Sequence, residues 1–323
     1  MPDAPPNDAI VTTPLTPEAH RSALAGTAGE LRQVGDDHVV LRREGTGTLL
    51  VTFDTLEAAR GRPDGLPIGS TLAASHGWAT LDVLADGATW FRAPELHDLF
   101  DHFADEGMFE TFARTIFAGG GMGGYGAAAF SVASPGAIVL TIQPRATLAR
   151  DVAPWDRRFR DAYALDWSGR YGDASRLVEA ASRVHVVYDP AEATDAMHAT
   201  LFRGPHVIPL RAPQGGRDLV QRIESAKLMD DLIADATDGT LDPARFARLW
   251  RSRRQDPNWL VGLLRQAEQR DRPWLAAIVA ARAVAEGRGK AATRRLDAAL
   301  SRLDERGTPP PRGLRPASPT MNG

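Results

Sequence analysis

The chain has 323 residues, 43% of them apolar, with a formal net charge of −3 and 0 cysteines. That length and apolar content suit one large core or a core with an appended unit, and the charge gives no electrostatic case for nucleic acid. The missing cysteine excludes thiolate nucleophiles, disulfides, iron–sulfur clusters and cysteine zinc sites together. No apolar run approaches the roughly 20 residues that span a bilayer.

Lys227 and Lys290 are the only lysines, so arginine carries nearly all the positive charge as a bias of composition. Residues 1–20 are expected to form a disordered lead, polar and Pro-rich, without the apolar stretch of a signal peptide. Cytoplasm is therefore the default location. His38–Arg42 and Thr48–Phe53 read as strands, the second apolar throughout, as a strand buried on both faces is. It ends at Asp54-Thr55, followed by a Gly/Pro-rich loop over 61–77. The carboxyl ends of strands hold ligands in α/β folds, although an ordinary crossover loop fits the same residues.

Thr80–Leu84 is the next strand. Pro94 suits the first position of a helix reaching Glu106, with Leu96, Leu99, Phe100 and Phe103 as its apolar stripe. His97 and His102, beside Asp98 and Asp101, have no third ligand in the sequence and read as a solvated face, so no metal is expected.

The chain is organised around Thr115–Phe130, where a short apolar run ends in Gly119-Gly120-Gly121-Met122-Gly123-Gly124-Tyr125 and a small-residue helix follows. Strand, tight turn, helix is the pattern of the G-x-S-x-G nucleophile elbow, with Gly121 at the serine position. The same run meets G-x-G-x-x-G at Gly119, Gly121 and Gly124, which would set a pyrophosphate on a helix N-terminus. The following strand, Ala137–Ile142, ends in Gln143-Pro144-Arg145, and an arginine there would accept the 2′-phosphate of NADP.

Residues 143–183 are irregular. Their interleaved aromatics and arginines, Trp155 to Phe159 and Trp167 to Tyr171, read either as a platform for a sugar or acyl group or as a packing cluster under a loop. Helices follow over 173–182, 192–202 and 217–236, and strands over 184–188 and 206–210, Pro209 favouring an edge. From Leu241 four amphipathic stretches (243–254, 258–270, 273–286 and 291–306) are separated by turns at 255–257 and 287–289. Pro243 and Pro273 open successive hairpins about 30 residues apart, near the tetratricopeptide period. The expected division is a lead over 1–20, an α/β domain over 21–238, helical hairpins over 239–306 and a Pro-rich disordered tail over 307–323.

The region from about Thr48 to Ala236 resembles an α/β-hydrolase-like bacterial family found with cell-surface polysaccharide genes, often with tetratricopeptide-like helices attached. Its pattern is a G-x-S-M-G-G-Y elbow, a P-Q-x-x-x-D-like segment, a Y-D-P turn and a G-G-H before the last helix. Here these correspond to Gly119–Tyr125, Pro144–Arg150, Tyr188-Asp189-Pro190 and Gly215-Gly216-Arg217.

The resemblance implies a doubly wound, mostly parallel sheet and a triad whose positions are Gly121, Asp195 and Arg217. Glycine offers no nucleophile, and arginine cannot act as a base at neutral pH. Asp189 and Glu192 are further acidic candidates. One oxyanion-hole amide would come from Asp54 or Thr55. A label of phosphoadenosine phosphosulfate reductase, used for some relatives, needs a cysteine that is missing here.

The expectation is a catalytically degenerate protein without cofactor. Its pocket, around Asp54, Thr55, Gly119, Gly121, Met122, Gln143, Asp189, Glu192 and Arg217, would bind a glycan, acyl or anionic ligand or a partner protein. Partners are also expected at the C-terminal helices. Arg217 would either make the pocket an anion site or close the vacant triad by pairing with Asp195 or Glu192. The rival readings are an esterase or acyltransferase with a displaced nucleophile (Ser70, Ser75 with His76, or Ser131) and an NADP oxidoreductase.

Overall fold

The computed structural model describes residues 16–26, 29–255, 257–287 and 289–314. The expected lead over 1–15 and the tail over 315–323 lie outside the described residues, as do positions 256 and 288 in the two expected turns. Two compact units divide the chain between Leu249 and Trp250, later than the expected 238/239 boundary.

Ordered structure begins earlier than residue 21. Pro17–Gly26 forms α1, and Leu24 is buried in a small cluster with Val39, Leu41, Leu56 and Ala59. Eight strands follow: β1 Glu30–Val34, β2 His38–Arg43, β3 Thr48–Thr55, β4 Ala79–Ala85, β5 Arg114–Gly120, β6 Ile138–Ile142, β7 Arg183–Tyr188 and β8 Val207–Arg211. They make one sheet in the order β1-β2-β4-β3-β5-β6-β7-β8. The β1/β2 and β2/β4 pairs are antiparallel and the others parallel. This is the α/β-hydrolase fold. β1 was not expected: of Glu30-Leu31-Arg32-Gln33-Val34 only Val34 is buried, as on a polar edge strand. β8, with Pro209, is the opposite edge.

The helices of this unit continue with α2 Leu56–Gly61, α3 Ser70–His76, α4 Pro94–Asp105, α5 Met122–Phe130, α6 Ala174–Leu177, α7 Ala193–Leu201, α8 Leu219–Ser225 and α9 Met229–Thr237. Three differ from expectation. α3 lies inside the expected loop, started and stopped by Gly69 and Gly77, both left-handed. The helix expected over 217–236 is broken between α8 and α9, where Lys227 takes φ 54°. The helix expected over 173–182 is only α6 and a 3-10 turn to Ala180.

The core interlocks Phe53 of β3 with Phe91, Phe100 and Phe130, whose ring centroids lie 5.1–5.7 Å from it. Burial of this aromatic cluster is what α4 and α5 contribute to the sheet. His97 belongs to it and not to a solvated face: it is buried on α4, and its Nε2 lies 3.1 Å from the Phe91 carbonyl. His102 is exposed, 3.3 Å from Glu106.

α10 Pro243–Arg251 carries the division between the units. In the second unit α11 Pro257–Gln269, α12 Pro273–Ala285 and α13 Gly289–Glu305 share a core of Leu260, Leu264, Ala276, Ala280, Ala283, Leu300 and Leu303. Among the described residues no helix is long and apolar enough to cross a membrane.

Candidate functional site

β5 ends at Gly120 and α5 starts at Met122. Gly121 between them has φ 59° and ψ −117°, a conformation costly for any residue with a side chain. Its N–H donates to the Ile142 carbonyl at 2.8 Å and its carbonyl accepts from Tyr125 N at 3.3 Å. The turn has the strand-to-helix geometry of an elbow, which glycine adopts without the strain a side chain would bring. A Cβ on Gly121 would meet no atom within 4 Å, so the position faces open space.

Gly123 serves a different purpose. A Cβ there would stand 2.0 Å from the Phe53 carbonyl oxygen, so its absence lets α5 lie directly against β3. Gly119 does likewise, its Cβ position being 2.2 Å from the Gly123 carbonyl; it is buried in packing and does not line the pocket as expected.

In front of the elbow is a cavity of about 470 Å³. It brings together Asp54, Thr55, Gly121, Met122, Gln143 and Arg217 from the expected set, with Arg62, Trp90, Arg145, Phe159 and Glu224 besides. Thr55 offers no oxyanion-hole amide: its N–H donates to Asp54 Oδ1 at 2.8 Å, and its hydroxyl caps α2 by accepting from Ala58 N at 3.0 Å. Asp54 Oδ2 lies 2.5 Å from Arg62, which also holds Glu224 at 2.6 Å. Burial pushes the Asp54 carboxyl above its ordinary range, against the pull of Arg62. Trp90 covers the turn, donating its N–H to Met122 Sδ at 3.2 Å and meeting Phe159 edge-on at 4.9 Å. The aromatics of the irregular segment are thus both wall and packing: Phe159 lines the cavity, while Trp167 is buried beneath Arg92.

Behind the cavity lies a polar network anchored on the buried Asp156 and Asp195. Gln143, at φ 53°, donates from Nε2 to Asp195 Oδ2 at 2.6 Å and to the Arg217 carbonyl at 3.0 Å. Arg158 bridges Asp195 at 2.6 Å and Asp156 at 2.7 Å. Burial opposes ionisation of Asp156, but the bonds from Arg158 and His198 outweigh it and hold this carboxyl well below the usual range. His198 looks like a stranded catalytic base and is not one. Its Nδ1 accepts from Ala146 N at 3.2 Å, so its Nε2 carries the proton and gives it to Asp156 at 2.9 Å. Both nitrogens are committed, and burial pushes its pKa down.

Three acidic candidates stand off the cavity. Asp195 is buried in this network. Asp189 is buried too, accepting from Ala191 N at 2.9 Å and Gly216 N at 2.8 Å, and so fixes the loop after β8. Glu192 lies 3.7 Å from Arg217, whose side chain is 83% exposed. The anion site expected at Arg217 is therefore not formed by its guanidinium, which turns outward to Glu192.

The displaced hydroxyls are elsewhere. Ser70 accepts from Arg43 at 2.7 Å, Ser75 and His76 close the end of α3, and Ser131 is buried, donating to the Ala128 carbonyl at 2.8 Å. None lines the elbow cavity. Arg145, the residue of the NADP reading, is buried beneath Phe159, 5.1 Å from its ring centre.

No protein-family model matches the sequence, and the search of curated proteins found no match. Solved structures similar to the chain include a capsule O-acetyltransferase of Neisseria meningitidis serogroup A, at 15% identity over 56% of this chain and 84% of that one, TM-score 0.36. A thermostable esterase from Pseudomonas putida covers 74% and 88% at 15% identity, TM-score 0.38. An S-formylglutathione hydrolase from Agrobacterium tumefaciens covers 57% and 86% at 13% identity, TM-score 0.39. Likeness at this level says nothing of the chemistry at the elbow.

Proposed function

We propose that this α/β-hydrolase-fold protein binds a small acyl, glycan or anionic ligand at its elbow without cleaving it. The observation that carries the reading is Gly121: the backbone keeps the nucleophile's strained geometry while the side chain is missing. A hydroxyl attacks only when a base within hydrogen-bond reach removes its proton. The cavity wall holds no serine, cysteine or histidine, and Thr55 is tied to its helix cap.

The helical unit supports a second role of the same protein, docking a partner, since Trp274, Leu275 and Ile278 of α12 are exposed. Membership of the polysaccharide-associated family rests on the motif resemblance and a tetratricopeptide-like repeat also on the spacing of Pro243 and Pro273; both belong to this proposal, as does a cytoplasmic location. A serine-reactive fluorophosphonate probe tests the central claim. The expected result is no covalent labelling; stoichiometric labelling of Ser70, Ser75 or Ser131 would establish an esterase or acyltransferase instead.

A further inference from the structure

The buried cation at the elbow is Arg145, and its bonding is incomplete. It is 7% exposed and lines the same cavity as Gly121. Its guanidinium gives one Nη1 bond to the Gln143 carbonyl, and its Nη2 stands 3.6 Å from Asp195. That carboxylate is already taken by Arg158 and Gln143, each at 2.6 Å. Arg145 Nε has no acceptor at all. A buried donor without a partner is rare in a native protein and calls for an explanation, a water, an ion or a ligand. Burial, ahead of the pull of Asp195, lowers the guanidinium pKa to about 10, as for a charge short of counter-charge.

The first turn of α5 supplies the second half. The helix has no side-chain cap, and the Met122 and Gly123 amides have no intrahelical acceptor. The positive end of the helix dipole lies there as well. Gly121 leaves empty the volume that a nucleophile's side chain would fill. The carboxylates across the cavity are only partly offset: Arg62 pairs with both Asp54 and Glu224, burial favours the neutral form of Asp54, and Glu57 is exposed at the rim.

We propose that the elbow cavity takes a small organic carboxylate. Its charged end sits over Gly121 between the α5 amides and Arg145, and its apolar body lies against Trp90, Phe159 and Met122. This deepens the binding reading above and rests on it. A carboxylate with an apolar body suits the site better than phosphate, because Trp90, Phe159 and Met122 give the cavity apolar walls that inorganic phosphate leaves unused.

Octanoate, octanamide and inorganic phosphate are the probes, titrated into the full chain and followed by tryptophan fluorescence and thermal shift. Octanoate is expected to bind at least tenfold more tightly than octanamide, with phosphate inert. Arg145→Gln should abolish that preference, with circular dichroism reporting whether this variant folds. Gly121→Ser, which fills the anion's place from the opposite side, should weaken octanoate independently. Equal binding of octanoate and octanamide would overturn the carboxylate assignment and leave a binding pocket. Phosphate binding alone, or no binding by any probe, would also overturn it. Fluorophosphonate labelling would instead overturn the non-hydrolytic reading, whatever the carboxylate result.

Discussion

Putting a serine back at Gly121 separates conformational strain from packing. The Cβ of Gly121→Ser enters open space, so no clash contributes, and the whole cost is the backbone at φ 59°, ψ −117°. Such a conformation costs a residue with a side chain about 1–3 kcal/mol. For a domain of this size each kcal/mol moves the melting midpoint by roughly 2–4 °C, giving a fall of about 2–12 °C. The control two residues on is Gly123→Ala, whose Cβ would stand 2.0 Å from a backbone oxygen of β3. Neither helix nor strand can yield there without parting, and a loss above about 4 kcal/mol is expected. Melting followed by far-ultraviolet circular dichroism ranks the two variants against wild type. A Gly121→Ser midpoint equal to wild type would show that the turn relaxes freely and is no elbow. A Gly121→Ser loss as large as that of Gly123→Ala would show that the space at Gly121 is not open.

Acid should destabilise the protein in a defined window. Burial lowers the pKa of His97 and His185 from 6.5 to about 4 and shifts His38 and His198 the same way. The unfolded chain then binds more protons between those values, so stability is complete above pH 6.5 and lost as the pH falls towards 4. His185 is fully buried in β7 with both ring nitrogens unpartnered, and its share is on the order of 3 kcal/mol. In urea melts at pH 7 and pH 5, His185→Leu should lose less stability on acidification than wild type; an equal loss would remove His185 from the account. Asp195→Ala should cost about 3–5 kcal/mol by leaving the buried Arg145 and Gln143 without their carboxylate, and a change under 1 kcal/mol in the urea midpoint analysis would mean that water replaces it.

The central strands were legible because burial on both faces leaves a run such as Thr48–Phe53 without polar interruptions, and β5 and β6 share that signature. The tight strand-to-helix turn was legible because an apolar run, a glycine cluster and a small-residue helix follow one another, although G-x-G-x-x-G asks for glycines in the same run. One edge was legible, β8 through Pro209, and the other was not: β1 shows the solvent a polar face, and a strand with one buried residue in five has no pattern to detect. The loop over 61–77 misled for a physical reason. Its glycines mark the two ends of α3 and not a lack of structure, since a glycine starting or stopping a short helix and a glycine in a coil leave the same letter.

The site was half legible, and the half that was missed is its charge. Gly216-Arg217 follows the last strand where a catalytic histidine would stand, which made Arg217 the natural cation for the cavity. Its position is decided by Asp189, which holds the Gly216 amide and so fixes the loop, while Glu192 draws the guanidinium outward. The cation inside comes from the end of β6. Gln143 takes a left-handed turn there, binds Asp195 where the base would reach its acid, and accepts Arg145 on its carbonyl. Asp195 comes from α7, and Arg145 and Arg158 from the irregular segment after β6, so their spacing in the sequence carries no trace of the network they form.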